Sequence, residues 1–350
     1  QDLPDKESAT MFFQDCKLAR QAQITGISHS VKEILPPDLL DLTQLQKEAN
    51  IRYGFTASEV YDIAQSLYGK KLISYPRTSS RYLTEDVLDS LSPIMARLLS
   101  WELFPAAKGT GGIDISSLSR HVINAEKANV HHAIIITGIR PGNMSEKEMQ
   151  VYRLVAGRML ETFMAPCRIE TTNVEAVCAA QHFKAEQTRI IEAGWHDVFM
   201  RSDMVPKSGY SVNELPEVEK SDTLNVCGCN MVHKKQLPVN PFTDAELVEY
   251  MEQNGLGTVS SRTNIIRTLV NRKYIRYSGK YIVPTPKGMF TYETIRGKKI
   301  ADTSLTADWE KQLAGLESGM ITGQDFLNRI RTLAKEMTDD IFNTYSTKEE

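Results

Sequence analysis

The sequence predicts a multidomain α+β protein whose last third is a helical domain of winged-helix type. Three observations lead there. The 350 residues are enough for two or three domains of ordinary size. Strand patterns at 23–34 and 168–191 are separated by helical ones. Residues 243–283 run helix, turn, helix, hairpin, the order of a winged helix.

The elements follow in chain order. Residues 9–20 read as a short helix and 23–34 as a strand, closed by Pro36-Pro37. Over 41–54, Leu42, Leu45, Ala49 and Tyr53 recur at helical spacing. A clearer helix covers 56–68. Thr56 and Glu59 form a capping box, and Val60, Ile63, Ala64 and Leu67 make one apolar stripe. Gly69 is expected to end it. Leu72-Ile73-Ser74-Tyr75 reads as a short strand, with Pro76 holding Tyr75 extended. The Gly- and Ser-rich stretch 105–120 reads as loop, and 133–137 as a buried strand. Ser145 and Glu148 form a second capping box, for a helix that buries Met149, Tyr152, Val155, Met159 and Phe163. Residues 168–191 alternate and are rich in Thr, Val and Ile, so they read as strands; 201–224 read as a polar connection. Thr243 and Glu246 cap a helix reaching Gln253, Gly255-Leu256-Gly257 turns the chain, and a second helix covers 260–272. The pattern at 274–283, broken at Ser278-Gly279, is a hairpin.

Composition narrows the classes. The chain is 41% hydrophobic and 24% charged, as folded proteins are. No apolar run is long enough to span a bilayer, and the first residues do not have a secretory pattern. The five cysteines (Cys16, Cys167, Cys178, Cys227 and Cys229) are odd in number and lack the spacing of a disulfide framework, so a reducing cytoplasm is expected. Cys227-Gly-Cys229 with His233 is one pair where a closed zinc site takes four ligands, so no metal site is assigned. The net charge is −3, but residues 231–300 hold 12 Lys and Arg against 5 Asp and Glu, leaving +7 there and −10 elsewhere. Such a basic region suits a phosphate backbone and suits a solvated face equally.

The stretch richest in chemistry is Ile73-Ser74-Tyr75-Pro76-Arg77-Thr78-Ser79-Ser80-Arg81-Tyr82-Leu83. A tyrosine oxygen can attack a phosphodiester and keep the bond energy in a phosphotyrosine link. A free tyrosine titrates near about 10, so it needs a cation that favours the phenolate and offsets charge growing on the phosphate. Arg77 lies two residues on, on the same side of an extended chain, with Pro76 fixing the geometry between. Taken alone, a Tyr-Pro pair reads first as a structural turn.

The wider context resolves that ambiguity. Residues 42–83 carry Leu-Thr-Gln-Leu-Gln-Lys-Glu-Ala-Asn, then Tyr-Gly-Phe-Thr-Ala, then Ala64-Gln65-Ser66-Leu67-Tyr68, then the tyrosine stretch. In order and spacing this resembles the segment of type IA DNA topoisomerases that leads into their active-site tyrosine. Val130-His131-His132-Ala133-Ile134-Ile135 resembles the family's His-His-Ala-Ile-Ile element and suggests the topoisomerase III branch. Asn254-Gly255-Leu256-Gly257-Thr258-Val259-Ser260-Ser261-Arg262 resembles its Gly-x-Gly helix-turn-helix, and Leu305-Thr306-Ala307-Asp308-Trp309-Glu310 its Leu-Thr-Ala-x-Trp-Glu.

The resemblance implies an arch with a hole large enough for duplex DNA. Residues 1–40 and 166–238 would form the β-rich arch domain, 41–165 the inserted cleavage domain, and 239–350 the winged-helix-type domain. It implies that Tyr75 attacks single-stranded DNA and keeps the 5′ phosphate, that Arg77 stabilises the phosphate, and that His131 helps proton movement. Gln65, Thr78 and His132 would contact DNA at the cleavage site, and Ser261 and Arg262 would meet the backbone at a helix start. Strand passage and religation need no nucleotide, and there is no P-loop pattern. A monomer is the family expectation.

Two residues depart from the family pattern: Ser79 stands where an Asp is often found, and Gly69 where a Glu is. The acidic Toprim domain, which would hold magnesium, has no counterpart in these residues. The chain opens on Gln1 and is expected to be a fragment unable to relax DNA alone. Two rivals remain: a non-catalytic winged-helix DNA-binding module, which explains the basic region but not the tyrosine stretch, and a tyrosine recombinase or relaxase, whose several Arg and His are not in place.

Overall fold

A computed structural model of the protein describes residues 5–101, 103–104, 122–124, 128, 131–199, 215–232 and 240–346. The 105–120 loop, Val130, His233 and most of the 201–224 connection lie outside the described residues. The chain forms two compact units. One comprises residues 1–37, 102–119 and 159–239; the other comprises 38–101, 120–158 and 240–350.

The first unit opens with α1 (Lys6–Leu18), capped by Asp5, whose side chain accepts from the Ser8 amide. It then builds an antiparallel sheet in the order β3-β2-β1-β4 from β1 (Gln21–Ile34), β2 (Cys167–Cys178), β3 (Gln181–Glu192) and β4 (Thr223–Asn225). β1 and β2 pair from Gln23↔Val177 to Ile34↔Cys167, with a bulge between Ile24 and Gly26. Ala179 and Ala180 close the β2–β3 hairpin, both at positive φ, as a primed two-residue turn requires. The 201–224 reading misses β4, because its partner is distant in sequence: Asn225 pairs with Gln21. Trp195, buried in a short 3-10 turn, donates its indole N–H to the Ile34 carbonyl at 2.9 Å.

In the second unit, α2 (Leu42–Tyr53) and α3 (Ala57–Gly69) form as their patterns predict. Asp41 caps α2 by accepting from the Gln44 amide at 2.7 Å. The Thr56–Glu59 capping box is complete, with Val60, Ala64 and Leu67 buried. The exit differs from expectation. Gly69 is the last helical residue, and the left-handed residue that turns the chain is Lys71, at φ 58°. Its amide bonds to the Tyr68 carbonyl while that of Leu72 reaches Leu67, so hydrogen bonding, not the absence of a Cβ, sets this end. α4 (Glu85–Ser100) is an element the sequence reading does not assign. It buries Val87, Leu91, Ile94, Met95 and Leu98, at helical spacing around an interior Pro93. α5 (Glu146–Thr162), whose residues from Met159 onward belong to the first unit, starts at the Ser145–Glu148 box and buries Tyr152, Val155 and Met159.

The expected helix–turn–helix–hairpin order forms as α6 (Asp244–Gln253), α7 (Arg262–Asn271), β5 (Ile275–Ser278) and β6 (Tyr281–Pro284). The helices α8 (Pro286–Ile295), α9 (Thr303–Glu317) and α10 (Gly323–Ser346) follow. Val248, Met251, Ile266 and Ile282 form one core with Ala57, the first residue of α3. Polar ties join the same elements. Lys47 on α2 meets Glu249 on α6 at 2.8 Å, and the Gln46 amide donates to Ala57 O and Thr263 Oγ1, both at 2.9 Å. Arg267 on α7 donates to Ser58 Oγ at 2.6 Å and Asp62 Oδ2 at 2.8 Å. This packing brings the turn before α7 to the segment after α3.

Candidate functional site

That segment is extended but is not a strand. Ile73 makes a single antiparallel bridge with Ile136, and Leu40 another with Ile134, so 133–137 is a buried spine with isolated bridges. Side chains complete the pairing. Ser74 Oγ donates to Ala133 O at 3.0 Å and accepts from the Ile135 amide at 2.9 Å, while the Ser74 amide reaches Ile135 O at 2.8 Å. A short segment tied at both ends to a buried spine holds its next residue, Tyr75, in a defined direction.

Tyr75 is half-buried between two rings. His131 lies 4.3 Å away, centroid to centroid and tilted by 45°, and Tyr68 meets it edge-on at 5.5 Å. The Tyr75 hydroxyl has no hydrogen-bond partner among the described residues. Arg77 is exposed; its Nη2 donates to Gln65 Oε1 at 3.4 Å, and its guanidinium lies 5.3 Å from the centre of the Tyr61 ring. Tyr75, Arg77, Ser79 and His131 line one side of an open cavity of about 270 Å³; Thr258, Val259 and Ser260 line the other.

The far wall is a turn set by glycine. Gly257 has φ +73°, and a Cβ there would stand 2.7 Å from Ser261 Oγ. Ser261 Oγ accepts from the Thr258 amide at 2.8 Å, which folds the hydroxyls of Thr258 and Ser260 together at 3.2 Å. Gly255, at φ +64°, packs so closely against Ala307 of α9 that a Cβ on it would stand 3.1 Å from the Ala307 methyl. The Gly-x-Gly and Leu-Thr-Ala-x-Trp-Glu stretches therefore meet.

The remaining sequence-nominated residues stand back from this cavity. Thr78 is buried: its hydroxyl donates to His131 O at 2.8 Å and accepts from the Ser80 amide at 3.0 Å, so Ser79 takes its expected place in the lining. Gln65 sits behind Arg77. The His132 ring faces the Ala133 carbonyl at 2.7 Å. Ser261 braces the turn from inside. Arg262 is buried and pairs with Glu252 Oε1 at 3.1 Å, the oxygen that also accepts from Thr43 Oγ1 at 3.2 Å. Arg81 likewise pairs at 2.6 Å with Asp41, whose carboxyl is pushed up by burial although the Gln44 amide and Arg81 pull it down. Tyr61, Tyr68, Ser79, Thr258, Val259 and Ser260 are the lining and supporting residues that sequence reasoning did not nominate. The legible signal was small hydroxyl residues directly after Gly257.

Among the described residues, no cluster of three or more His, Cys, Asp or Glu side chains could hold a metal ion. No helix among them is long and apolar enough to cross a membrane.

Comparison with known proteins gives concordant results. The sequence pattern of the DNA topoisomerase family matches residues 1–328. The chain is 31% identical to DNA topoisomerase 3 of Bacillus licheniformis, over 92% of this chain and 47% of that protein. It is 30% identical to DNA topoisomerase 3 of Bacillus subtilis, over 94% of this chain and 48% of that one. It thus spans about half the length of the curated relatives it matches. In fold it is similar to full-length topoisomerase I from Thermotoga maritima, with a TM-score of 0.73, 22% identity, and coverage of 96% of this chain and 56% of that structure.

Proposed function

This chain belongs to the DNA topoisomerase family, and from that premise we propose that it carries the tyrosine half of a type IA strand-cleavage site acting on single-stranded DNA. One observation supports the reading above the others: Tyr75 and Arg77 share a cavity with a glycine-set turn of hydroxyl side chains. In the proposed step, the Tyr75 oxygen attacks a backbone phosphorus. An O–P bond forms to tyrosine and the bond to the 3′ oxygen breaks. The phenol gives up its proton, and the departing 3′ oxygen takes one. The 5′ phosphate stays on Tyr75, and reversal reseals the strand without a nucleotide.

Each neighbour has a part in this reading. Arg77 offsets charge on the non-bridging oxygens. His131, against the Tyr75 ring, orients it and handles its proton, while Thr258 and Ser260 offer hydroxyls to the adjacent backbone. At the domain level the reading assigns 1–40 and 166–238 to the arch, 41–165 to the cleavage domain and 239–350 to the winged-helix domain of a monomer.

The test is covalent trapping. The chain, alone and joined to the remaining half of a relative, is incubated with a radiolabelled single-stranded oligonucleotide and quenched in detergent. A protein–DNA adduct that maps to Tyr75 and disappears in Tyr75→Phe is expected. An adduct that survives Tyr75→Phe, or one joined through the 3′ phosphate, ends the proposal.

A further inference from the structure

Arg77 is held differently from four other arginines of its unit. Arg81 is paired with Asp41, Arg158 with Glu48, Arg262 with Glu252 and Arg267 with Asp62, at 2.6 to 3.1 Å. Arg77 has no carboxylate partner among the described residues. It rests instead on two neutral groups of α3, one turn apart: the Tyr61 ring, 5.3 Å from its Cζ, and Gln65 Oε1, 3.4 Å from its Nη2. Residues four apart lie on one helix face, so the two contacts form a single seat. Tyr61 itself is only 8% exposed, and its ring is fixed by the helix it helps to bury.

We infer that Tyr61, with Gln65, is a positioning residue that aims Arg77 into the cavity without neutralising it; this rests on the reading of Arg77 as a phosphate contact. A carboxylate would hold the guanidinium more firmly. It would also cancel the positive potential that a phosphate needs, and it would repel the phosphate directly. A ring face attracts a cation through its quadrupole and leaves the net charge intact. The amide completes the seat. With Oε1 toward Arg77, Gln65 Nε2 is buried without a hydrogen-bond partner. The reversed amide would set donor against donor, so this orientation gives up one hydrogen bond to present an acceptor to Arg77. Since the seat is on α3 and Tyr75 is on the segment that α3 leads into, one helix orients both groups.

The experiment uses the full chain and a twelve-nucleotide single strand as probe, with Tyr61→Phe, Tyr61→Leu, Arg77→Ala and the double variant Tyr61→Leu/Arg77→Ala. From the range of cation–π strengths, Tyr61→Leu should weaken binding by about three- to tenfold, and Tyr61→Phe, which keeps the ring, by less than about twofold. Tyr61→Leu should add nothing in the Arg77→Ala background. In parallel, the Arg77 Nε–H resonance should lose its ring-current shift in Tyr61→Leu and keep it in Tyr61→Phe. Equal losses in both backgrounds, a Tyr61→Phe as damaging as Tyr61→Leu, or an Arg77 resonance indifferent to the ring would each overturn the seat. If Arg77→Ala leaves binding unchanged while the resonance follows the ring, the seat stands and the phosphate-contact reading fails.

Discussion

Gly257→Ala is the substitution that most directly tests how the cavity wall is built. Gly257 sits at φ +73°, where a Cβ costs about 1–2 kcal/mol from backbone crowding alone. The new methyl would also lie 2.7 Å from Ser261 Oγ and 3.1 Å from Ile265 Cδ1. Ser261 must then move, and its bond from the Thr258 amide, 2.8 Å long, is lost at about 0.5–1.5 kcal/mol. The expected destabilisation is therefore about 2–3 kcal/mol, a fall in melting temperature of about 4–10 °C for a unit of this size. Two further glycines separate the contributions. Gly279, at φ +60° with nothing near its Cβ position, should cost only the backbone part, about 1–2 kcal/mol, as Gly279→Ala. Gly69 is helical and unobstructed, so Gly69→Ala should stabilise by about 0.5–1 kcal/mol. Urea unfolding followed by circular dichroism measures all three, and single-strand binding by Gly257→Ala should drop with the hydroxyl turn displaced. A Gly257→Ala within about 0.5 kcal/mol of the parent, or one no worse than Gly279→Ala, would refute the claim that this turn is held by close packing on Ser261.

Other outcomes follow from the same structure. Lys71→Gly should stabilise the chain by about 1 kcal/mol, since Lys71 holds the left-handed exit of α3 at φ 58°; a destabilised variant in a thermal melt would mean its side chain has a packing role. Glu148 is held at about 2 by Lys70, Ser66 and the Ser145 amide, below its ordinary value. A lowered folded pKa contributes stability that is present above about 4.3 and lost as pH falls toward 2. The gap between the parent and Glu148→Gln, about 0.5–1 kcal/mol for a pair with an exposed lysine, should thus close as pH falls from about 4.3 to about 2, and a constant gap would count against it. At the end of α7 and on β5, Arg272, Lys273 and Arg276 are exposed and have no carboxylate partner among the described residues. Replacing all three by Gln should flatten the dependence of log Kd on log salt for a single strand by about 0.7 per lost phosphate contact, and an unchanged slope would make this a solvated face.

The features readable from the chain alone are local ones. The capping boxes at Thr56, Ser145 and Thr243, the apolar stripe of α3, the β2–β3 alternation and the β5–β6 hairpin all rest on interactions within a few residues, so their patterns are legible without a fold. The stretch around Tyr75 was legible as a motif for the same reason. α4 went unread because its interior Pro93 interrupts an otherwise helical spacing, and β4 because three residues acquire strand geometry only from a partner near the other end of the chain. Which side chains share the cavity was settled by packing between distant segments. Thr258 and Ser260 share a cavity with Tyr75 because α2 and α3 bury their faces against α6 and α7, through Ala57, Gln46 and Lys47. The same packing sorted the arginines. Arg262, inside the most recognisable turn, is enclosed and paired with Glu252, whereas Arg77 is left open over a neutral ring. A residue's identity sets the charge it carries, but burial and the nearest carboxylate set whether that charge is available, and both are long-range properties of the packed chain.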